Sequence, residues 1–313
     1  MEEYKVTTII PRFAACRKCG GRTPVPIIAS TNISRMDSDY CPWSMGYNAL
    51  DYALSICAKC WFVGRPDEFE LEDDEIQEDQ LQQHWEETER LRKEHPISKR
   101  FILYAERIGV EGASEENIGE AYLHASWAER ISTSPINRSV KSIALERECQ
   151  QNAVRYFSLA LAKGTLPFSV ENLYLIGELY RRIGDFSAAV EYFDKAAKEL
   201  EKKKYYILIL EDAGLQHDVV EVKVRANSSI TKAEWLRIFK NIPCKMLGDL
   251  TFEKVQEWVA LLSQFGATLS IKEQAELPND RDEVMELITK MKAFAIQGDG
   301  ENKVADEKKT IFI

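Results

Sequence analysis

Four cysteines of this 313-residue chain fall into two pairs, Cys16-Arg17-Lys18-Cys19-Gly20 and Cys57-Ala58-Lys59-Cys60, with 37 residues between them. A C-x-x-C turn directs both of its thiolates at one point, and two such turns close a tetrahedral cage. The cage has no open coordination position and suits structural Zn²⁺, with Zn–S bonds of ~2.3 Å. Iron accepts the same four ligands and stays open as an alternative. A redox dithiol needs one C-x-x-C at a helix N-terminus in a βαβ setting, which neither pair has. The expected metal ligands are therefore Cys16, Cys19, Cys57 and Cys60.

A second constellation lies between the pairs, in Asp37-Ser38-Asp39-Tyr40-Cys41. It reads in two ways. Asp39 and Cys41, with Asp37 beside them, form a possible additional site for a substrate or cation. Equally, the aspartates cap the backbone of a turn and Cys41 is a small buried hydrophobe. His84, His95, His124 and His217 have no metal-pair spacing and read as surface or packing residues, and Cys149 and Cys244 are isolated and read as buried. The chain has no G-x-G-x-x-G, G-x-x-x-x-G-K, G-x-S-x-G or H-E-x-x-H pattern, so neither phosphate-cradle nor common hydrolase chemistry is indicated.

These residues must be held by local structure. Lys5–Ile10 and Pro24–Ala29 read as strands flanking the first cysteine pair, as in a zinc ribbon. Residues 1–66 carry eight Lys/Arg against five acids, whereas the chain as a whole has 41 against 51, for a net charge of -10. Asp67 to Asp79 then holds nine acids and no base, which reads as a solvated connector or helix start. From about Ile76 to Leu200 the apolar spacing is helical, interrupted at Pro96, Gly109–Gly112, Ser134–Pro135 and Gly164–Pro167.

Within Val170–Leu200, Ile176-Gly177, Tyr180, Gly184-Asp185-Phe186, Ala189, Phe193 and Ala196 resemble a tetratricopeptide repeat. Gly177 and Ala189 would let two antiparallel helices approach, with Tyr180 and Phe193 filling the space between them. An earlier copy reads Ile118-Gly119, Tyr122, Ala153, Phe157 and Ala160. Its Gly-to-Ala interval is 34 residues rather than 12, an insertion placed mainly around Ser132–Ser139.

Beyond Lys204 the pattern changes to a small α/β unit. It has a strand at Asp218–Arg225, helices at Thr231–Asn241 and Thr251–Phe265, and a strand at Gly266–Ile271. Leu250-Thr251, Ala260, Leu261-Leu262 and Phe265-Gly266-Ala267 resemble the C-terminal domain of the ribosomal stalk protein. A helix at Arg281–Ile296 precedes a polar tail. The expected organisation is a zinc-ribbon-like module at 1–66, an acidic linker and tetratricopeptide-like helical domain at 67–204, a small α/β domain at 205–275, and a helix with a tail at 276–313. The fold class is multidomain and mainly α.

The acidic balance argues against a whole-chain polyanion binder. The glutamates at the start and Pro11 interrupt any signal-peptide pattern, and the longest apolar run, Tyr205–Leu210, is far below the ~20 residues that cross a bilayer, so a cytoplasmic, non-membrane protein is expected. The two cysteine pairs, the Ser38-Asp39-Tyr40-Cys41 step, Asn48-Ala49-Leu50-Asp51-Tyr52 and the segment Tyr174–Gly184 together resemble a bacterial family of uncharacterised proteins with an N-terminal Cys-x-x-Cys module and a tetratricopeptide-like region. That resemblance implies architecture and zinc ligands and no activity.

The function expected is a non-enzymatic protein–protein interaction adaptor. Its peptide groove would lie on Glu171, Tyr174, Glu178, Arg181 and Arg182, and its partner would be a protein or peptide. One alternative is a nucleic-acid- or ribosome-associated factor that uses Arg12, Arg17, Lys18, Arg22 and Arg35. A second is an enzyme centred on Asp39 and Cys41.

Overall fold

A computed structural model gives the architecture and describes residues 7–72, 78–132, 138–204, 206–212, 244–273 and 279–297. Its eight described α-helices make it mainly helical, with small antiparallel sheets. Contacts divide it into two compact units, Met1–Asp194 with Met291–Ile313, and Lys195–Lys290. The expected strand at Asp218–Arg225 and helix at Thr231–Asn241, with His217, lie outside the described residues. No described helix is long and apolar enough to cross a membrane.

The first unit begins with three β-hairpins, and each turns over a segment that the sequence marked. Strands β1 (Thr8–Cys16) and β2 (Arg22–Ser30) pair around the first cysteine turn. Strands β3 (Ile33–Met36) and β4 (Pro42–Ser44) pair around Asp37–Cys41. Strands β5 (Ser55–Ile56) and β6 (Val63–Gly64) pair around the second cysteine turn. The start of the acidic run is more ordered than a solvated connector: Pro66–Glu68 forms a 3₁₀ turn and β7 (Phe69–Leu71) adds to the free edge of β1. Phe69 explains this, since its ring is buried against Phe62 at 5.5 Å in the small core beneath the cysteines.

Six helices follow: α1 (Glu78–Glu94), α2 (Ile97–Val110), α3 (Glu115–Ser132), α4 (Val140–Lys163), α5 (Val170–Ile183) and α6 (Phe186–Lys202). Two pairs of them repeat the same contacts. A Cβ added to Gly119 would lie 2.9 Å from the Phe157 ring, and one added to Gly177 would lie 3.0 Å from the Phe193 ring. Only glycine allows α3 against α4, and α5 against α6, to come that close at these points. The flanking tyrosines stack equivalently, Tyr122 on Tyr156 at 5.9 Å and Tyr180 on Tyr192 at 5.5 Å.

The insertion between the two halves of the earlier copy is largely helix. α3 runs on to Ser132 and α4 starts at Val140, well before Ala153, so these helices have 18 and 24 residues where α5 and α6 have 14 and 17. The hairpin module and the helices share one apolar core, in which Cys41, Leu50, Leu54, Ile56 and Val63 meet Phe101, Trp127, Val154 and Leu179. At about 25 cal/mol per Å² of apolar surface buried, such a core outweighs any single polar contact across it.

In the second unit, β8 (Tyr206–Asp212) lies between β9 (Cys244–Leu250) and β10 (Thr268–Glu273), all antiparallel. α7 (Phe252–Ser263) starts where the Thr251 hydroxyl caps the Lys254 amide, and it buries Val255, Trp258 and Leu262 against Leu208 and Leu210. Most of the apolar run read only as too short for a membrane, its residues Tyr206–Leu210, thus belongs to the central strand here. The last described helix, α8, spans Asn279–Ile296.

Candidate metal centre and its flanking charge cluster

The two cysteine turns have the same backbone. In the first, the Gly20 amide donates to the Cys16 carbonyl at 2.7 Å and the Cys16 amide to the Gly21 carbonyl at 3.0 Å. In the second, the Trp61 amide donates to the Cys57 carbonyl and the Cys57 amide to the Phe62 carbonyl, both at 2.9 Å. Each turn needs a left-handed residue directly after its second cysteine, Gly20 at φ +64° and Trp61 at φ +59°. Glycine takes that conformation freely, whereas for a bulky residue it costs on the order of 1–2 kcal/mol. Trp61 is nevertheless 64% exposed, with its ring edge-on to His95 at 5.0 Å.

The four sulfur atoms come together as the spacing predicts. Cys16 Sγ lies 3.6 Å from Cys60 Sγ and Cys19 Sγ 3.7 Å from Cys57 Sγ, and all four lie within 4.8 Å of one another. A regular ZnS₄ tetrahedron with ~2.3 Å bonds has sulfur–sulfur edges of ~3.8 Å, so these thiols fit a metal ion. Thr23 ties the two turns together. Its buried hydroxyl donates to the Ile56 carbonyl at 3.2 Å and accepts from the Ala58 amide at 3.4 Å.

The thiols are not equivalent. Hydrogen bonding from the Gly21 amide and then from Cys60 lowers Cys19 to about 7, while desolvation pushes Cys60 up to about 12 and raises Cys57. Close-packed thiols resist shared negative charge, and a cation at their centre removes that resistance. Around this core, Arg17 and Arg107 lie over the Phe62 ring at 4.9 and 4.7 Å. Glu68 pairs with Arg107 at 2.6 Å and with Arg17 at 3.4 Å. Arg22 is bound to Glu72 at 2.8 Å. Two of the five cations considered for nucleic acid, Arg17 and Arg22, therefore already pair with acids of this chain.

The structure brings Asp39 and the expected groove residues together, which the sequence reading kept apart. Asp39 is fully buried and takes a two-pronged contact from Arg130, with Nη1–Oδ1 at 2.8 Å and Nη2–Oδ2 at 2.7 Å. The Trp127 indole N–H donates to it at 3.2 Å, and Arg182 stands 3.4 Å away. Arg130 also reaches Asp37 at 3.0 Å and Glu146 at 2.8 Å, and Arg138 closes on Glu146. Ser38 donates to Glu178 at 2.7 Å and accepts from Arg182 at 3.0 Å, and Glu178 also holds Arg181 and Arg182 at 2.8 and 2.9 Å. Four carboxylates thus meet four guanidinium groups beneath the Asp37–Cys41 turn.

This overturns the open groove on α5. Tyr174, Glu178, Arg181 and Arg182 are buried, and of the five expected residues only Glu171 is exposed. The face opposite the helix-packing face is covered, because the Asp37–Cys41 turn sits on it and Tyr40 packs on Tyr174 at 5.7 Å. Burial opposes ionisation of Asp39, but Arg130 and Arg182 outweigh it and hold its pKa below the usual carboxylate range. Burial raises the Cys41 thiol well above its ordinary value, the reverse of what a nucleophilic cysteine needs. The turn reading is the one that fits, with carboxylates bound by side chains of distant helices rather than by backbone amides.

Sequence reasoning missed Trp127, Arg130 and Glu146, which all lie in the extended parts of α3 and α4. The one available signal was an Arg and a Glu at positions that an amphipathic helix would bury. The Asn48–Tyr52 segment also finds its partner on a helix: Asn48 caps the Leu50 amide at 2.9 Å and Asp51 pairs with Arg92 of α1 at 2.8 Å. His84 and His95 are buried packing residues, and His124 lies between the rings of Phe101 and Trp127.

Fold and site together define a class: a hairpin module whose four clustered cysteines could hold a metal ion, built onto helical hairpins. The chain belongs to the bacterial family described as "Uncharacterized protein conserved in bacteria (DUF2225)", whose model matches residues 22–217. The match opens at Arg22, immediately after the first cysteine turn. Comparison with curated proteins and comparison with solved structures each give no match.

Proposed function

We propose that the chain is a non-enzymatic interaction adaptor whose N-terminal module is held by structural Zn²⁺ on Cys16, Cys19, Cys57 and Cys60. The observation that carries the metal is the convergence of four sulfurs to within 4.8 Å on two turns of identical backbone. Four thiolates saturate zinc, so such an ion organises the fold and leaves no position for substrate. The paired helices, with Gly119 and Gly177 seated under aromatic rings, support a tetratricopeptide-like reading of the helical part, and repeats of that kind present surfaces to other proteins. Asp39 and Cys41 serve as packing and ion-pair residues in this reading rather than as a reactive centre.

Metal analysis of the purified full-length chain tests the centre. One zinc per chain is expected, lost together in Cys16→Ser and Cys57→Ser, and a coloured protein carrying iron would replace zinc in the assignment. Affinity purification of the full-length chain from its native cell tests the adaptor role. A protein retained in fixed proportion supports it, and recovery of nucleic acid alone removes it.

A further inference from the structure

We propose that the surface formed by α3 and α5 is a seat for acidic segments of the Asp-x-Asp type, and that the chain's own Asp37–Cys41 turn fills it as an internal ligand. This rests on the adaptor reading and gives it a partner chemistry: a protein segment with two aspartates about one residue apart.

Three observations carry it. The first is the composition of the contact. Asp37, Ser38 and Asp39 each lodge their side chains on Arg130 or Arg182, residues 91 to 144 positions away in the chain, through a two-pronged arginine contact and its neighbours. Guanidinium forks matched to carboxylates recognise one geometry and reject others. These charged contacts lie beside the apolar packing of Tyr40 on Tyr174 and of Cys41 in the shared core, so the seat reads an acidic segment through its guanidinium groups and anchors it through an apolar neighbour.

The second is strain in the occupant. Tyr40 closes the turn at φ +64°, with its amide bound to the Asp37 carbonyl at 2.9 Å. A tyrosine there is held by its surroundings against its own preference, and it is released when the turn leaves. The third is a mismatch in the seat. The Tyr174 hydroxyl is buried beside Tyr40 and finds no hydrogen-bond partner among the described residues. An unsatisfied buried hydroxyl is costly, so the turn occupies this surface without using all of it. A segment in trans that reaches Tyr174 would have a bond that the internal one lacks.

The test uses the full-length, metal-loaded chain. Hydrogen exchange of the Asp37 and Tyr40 amides is compared with exchange within α3 and α5. The proposal expects these two amides to exchange through a local opening at least tenfold faster than the most protected helix amides. Exchange of the turn only with global unfolding overturns it. A labelled peptide with the sequence of residues 35–42 is then titrated against the wild type and against Asp37→Asn/Ser38→Ala, which loosens the internal occupant while keeping Asp39. At least tenfold tighter binding to the variant is expected, with binding abolished when both peptide aspartates are changed to asparagine. Equal binding to both chains, or equal competition by an RNA oligonucleotide, overturns the seat in favour of general charge attraction.

Should the variant fail to fold, the wild-type exchange result decides alone. Local opening with peptide binding but no co-purifying protein would leave the seat standing and sink the adaptor reading. A co-purifying protein with a turn that never opens would do the reverse.

Discussion

The cysteine turns and the Asp37–Cys41 turn lie within 45 residues of one another, both at hairpin tips, yet they reach their structures by different routes. Each cysteine turn is set by its own five residues, and the two meet because Thr23 and the β-hairpins align them. Their chemistry points inward, at a position equidistant from four sulfurs. The aspartate turn has no such closure. Its carboxylates are completed by Arg130 and Arg182, more than ninety residues further along the chain. Where ligands carry their geometry in local spacing, the sequence displays the site; where partners come from a distant helix, the sequence displays only half of it.

The contrast can be broken at several points. The largest effect is expected at the cysteines. Cys16→Ser or Cys57→Ser is expected to remove the proposed metal and with it folding free energy on the order of 10 kcal/mol, enough to unfold residues 1–66. Amide spectra and metal content check this together, and a variant that stays folded without metal would place the stability of the module in its apolar core.

At the aspartate turn, Arg130→Met leaves Asp39 buried with only part of its compensation. A loss of about 3–5 kcal/mol is expected by chemical denaturation. Combining it with Asp39→Asn should recover much of that loss, since the residual charge is removed, and the non-additivity measures the pair directly. If instead the two losses simply add, the turn is not held by this contact.

Smaller effects test whether the two helical hairpins are equivalent. Gly119→Ala and Gly177→Ala each drive a Cβ into a phenylalanine ring, at a cost of about 1–3 kcal/mol, against which the better helix propensity of alanine returns up to about 1 kcal/mol. Net losses that match within about 0.5 kcal/mol would show the hairpins to be copies in energy as well as in geometry.

Acid sensitivity separates the regions again. Desolvation lowers His124 to about 4, and it also lowers His84 and His95. A histidine with a depressed folded pKa stabilises fully above its unfolded value near 6.5, and that stability is lost as pH falls toward the folded value. Stability should therefore fall between about pH 6.5 and 4, with a shallower slope in His124→Phe. Asp39 and Glu178, whose folded pKa values are also depressed, keep their contribution until pH drops below about 4, the unfolded carboxylate range. A midpoint that is flat across pH 4 to 6.5 would contradict the histidine assignment.

These differences show what was legible. The convergence of the four thiols could be read because C-x-x-C fixes direction as well as identity. The helical spacing from about Ile76 to Leu200 and the close approach of two helices at Gly177 could be read because burial follows period. Glu178, Arg181 and Arg182 were correctly placed on one face of α5, but charge alone suggested solvent. What reversed that reading is a partner 140 residues earlier in the chain, which no helical periodicity reports. The insertion in the earlier copy was placed mainly around Ser132–Ser139, of which residues 133–137 lie outside the described residues; what the spacing did not report is that the helices on either side lengthen toward it and carry Trp127, Arg130 and Glu146 with them.

Trp61 has a practical consequence. Its indole is largely open to water and is joined through one peptide bond to a cysteine of the candidate cage, whereas Trp127 and Trp258 are enclosed in the cores of the two units. Its emission should lie to the red of theirs and respond first when the thiols gain or lose an ion. Were an ion to occupy the cage, this indole would serve as a native optical gauge of its arrival and loss, to be read in dilute solution without a label.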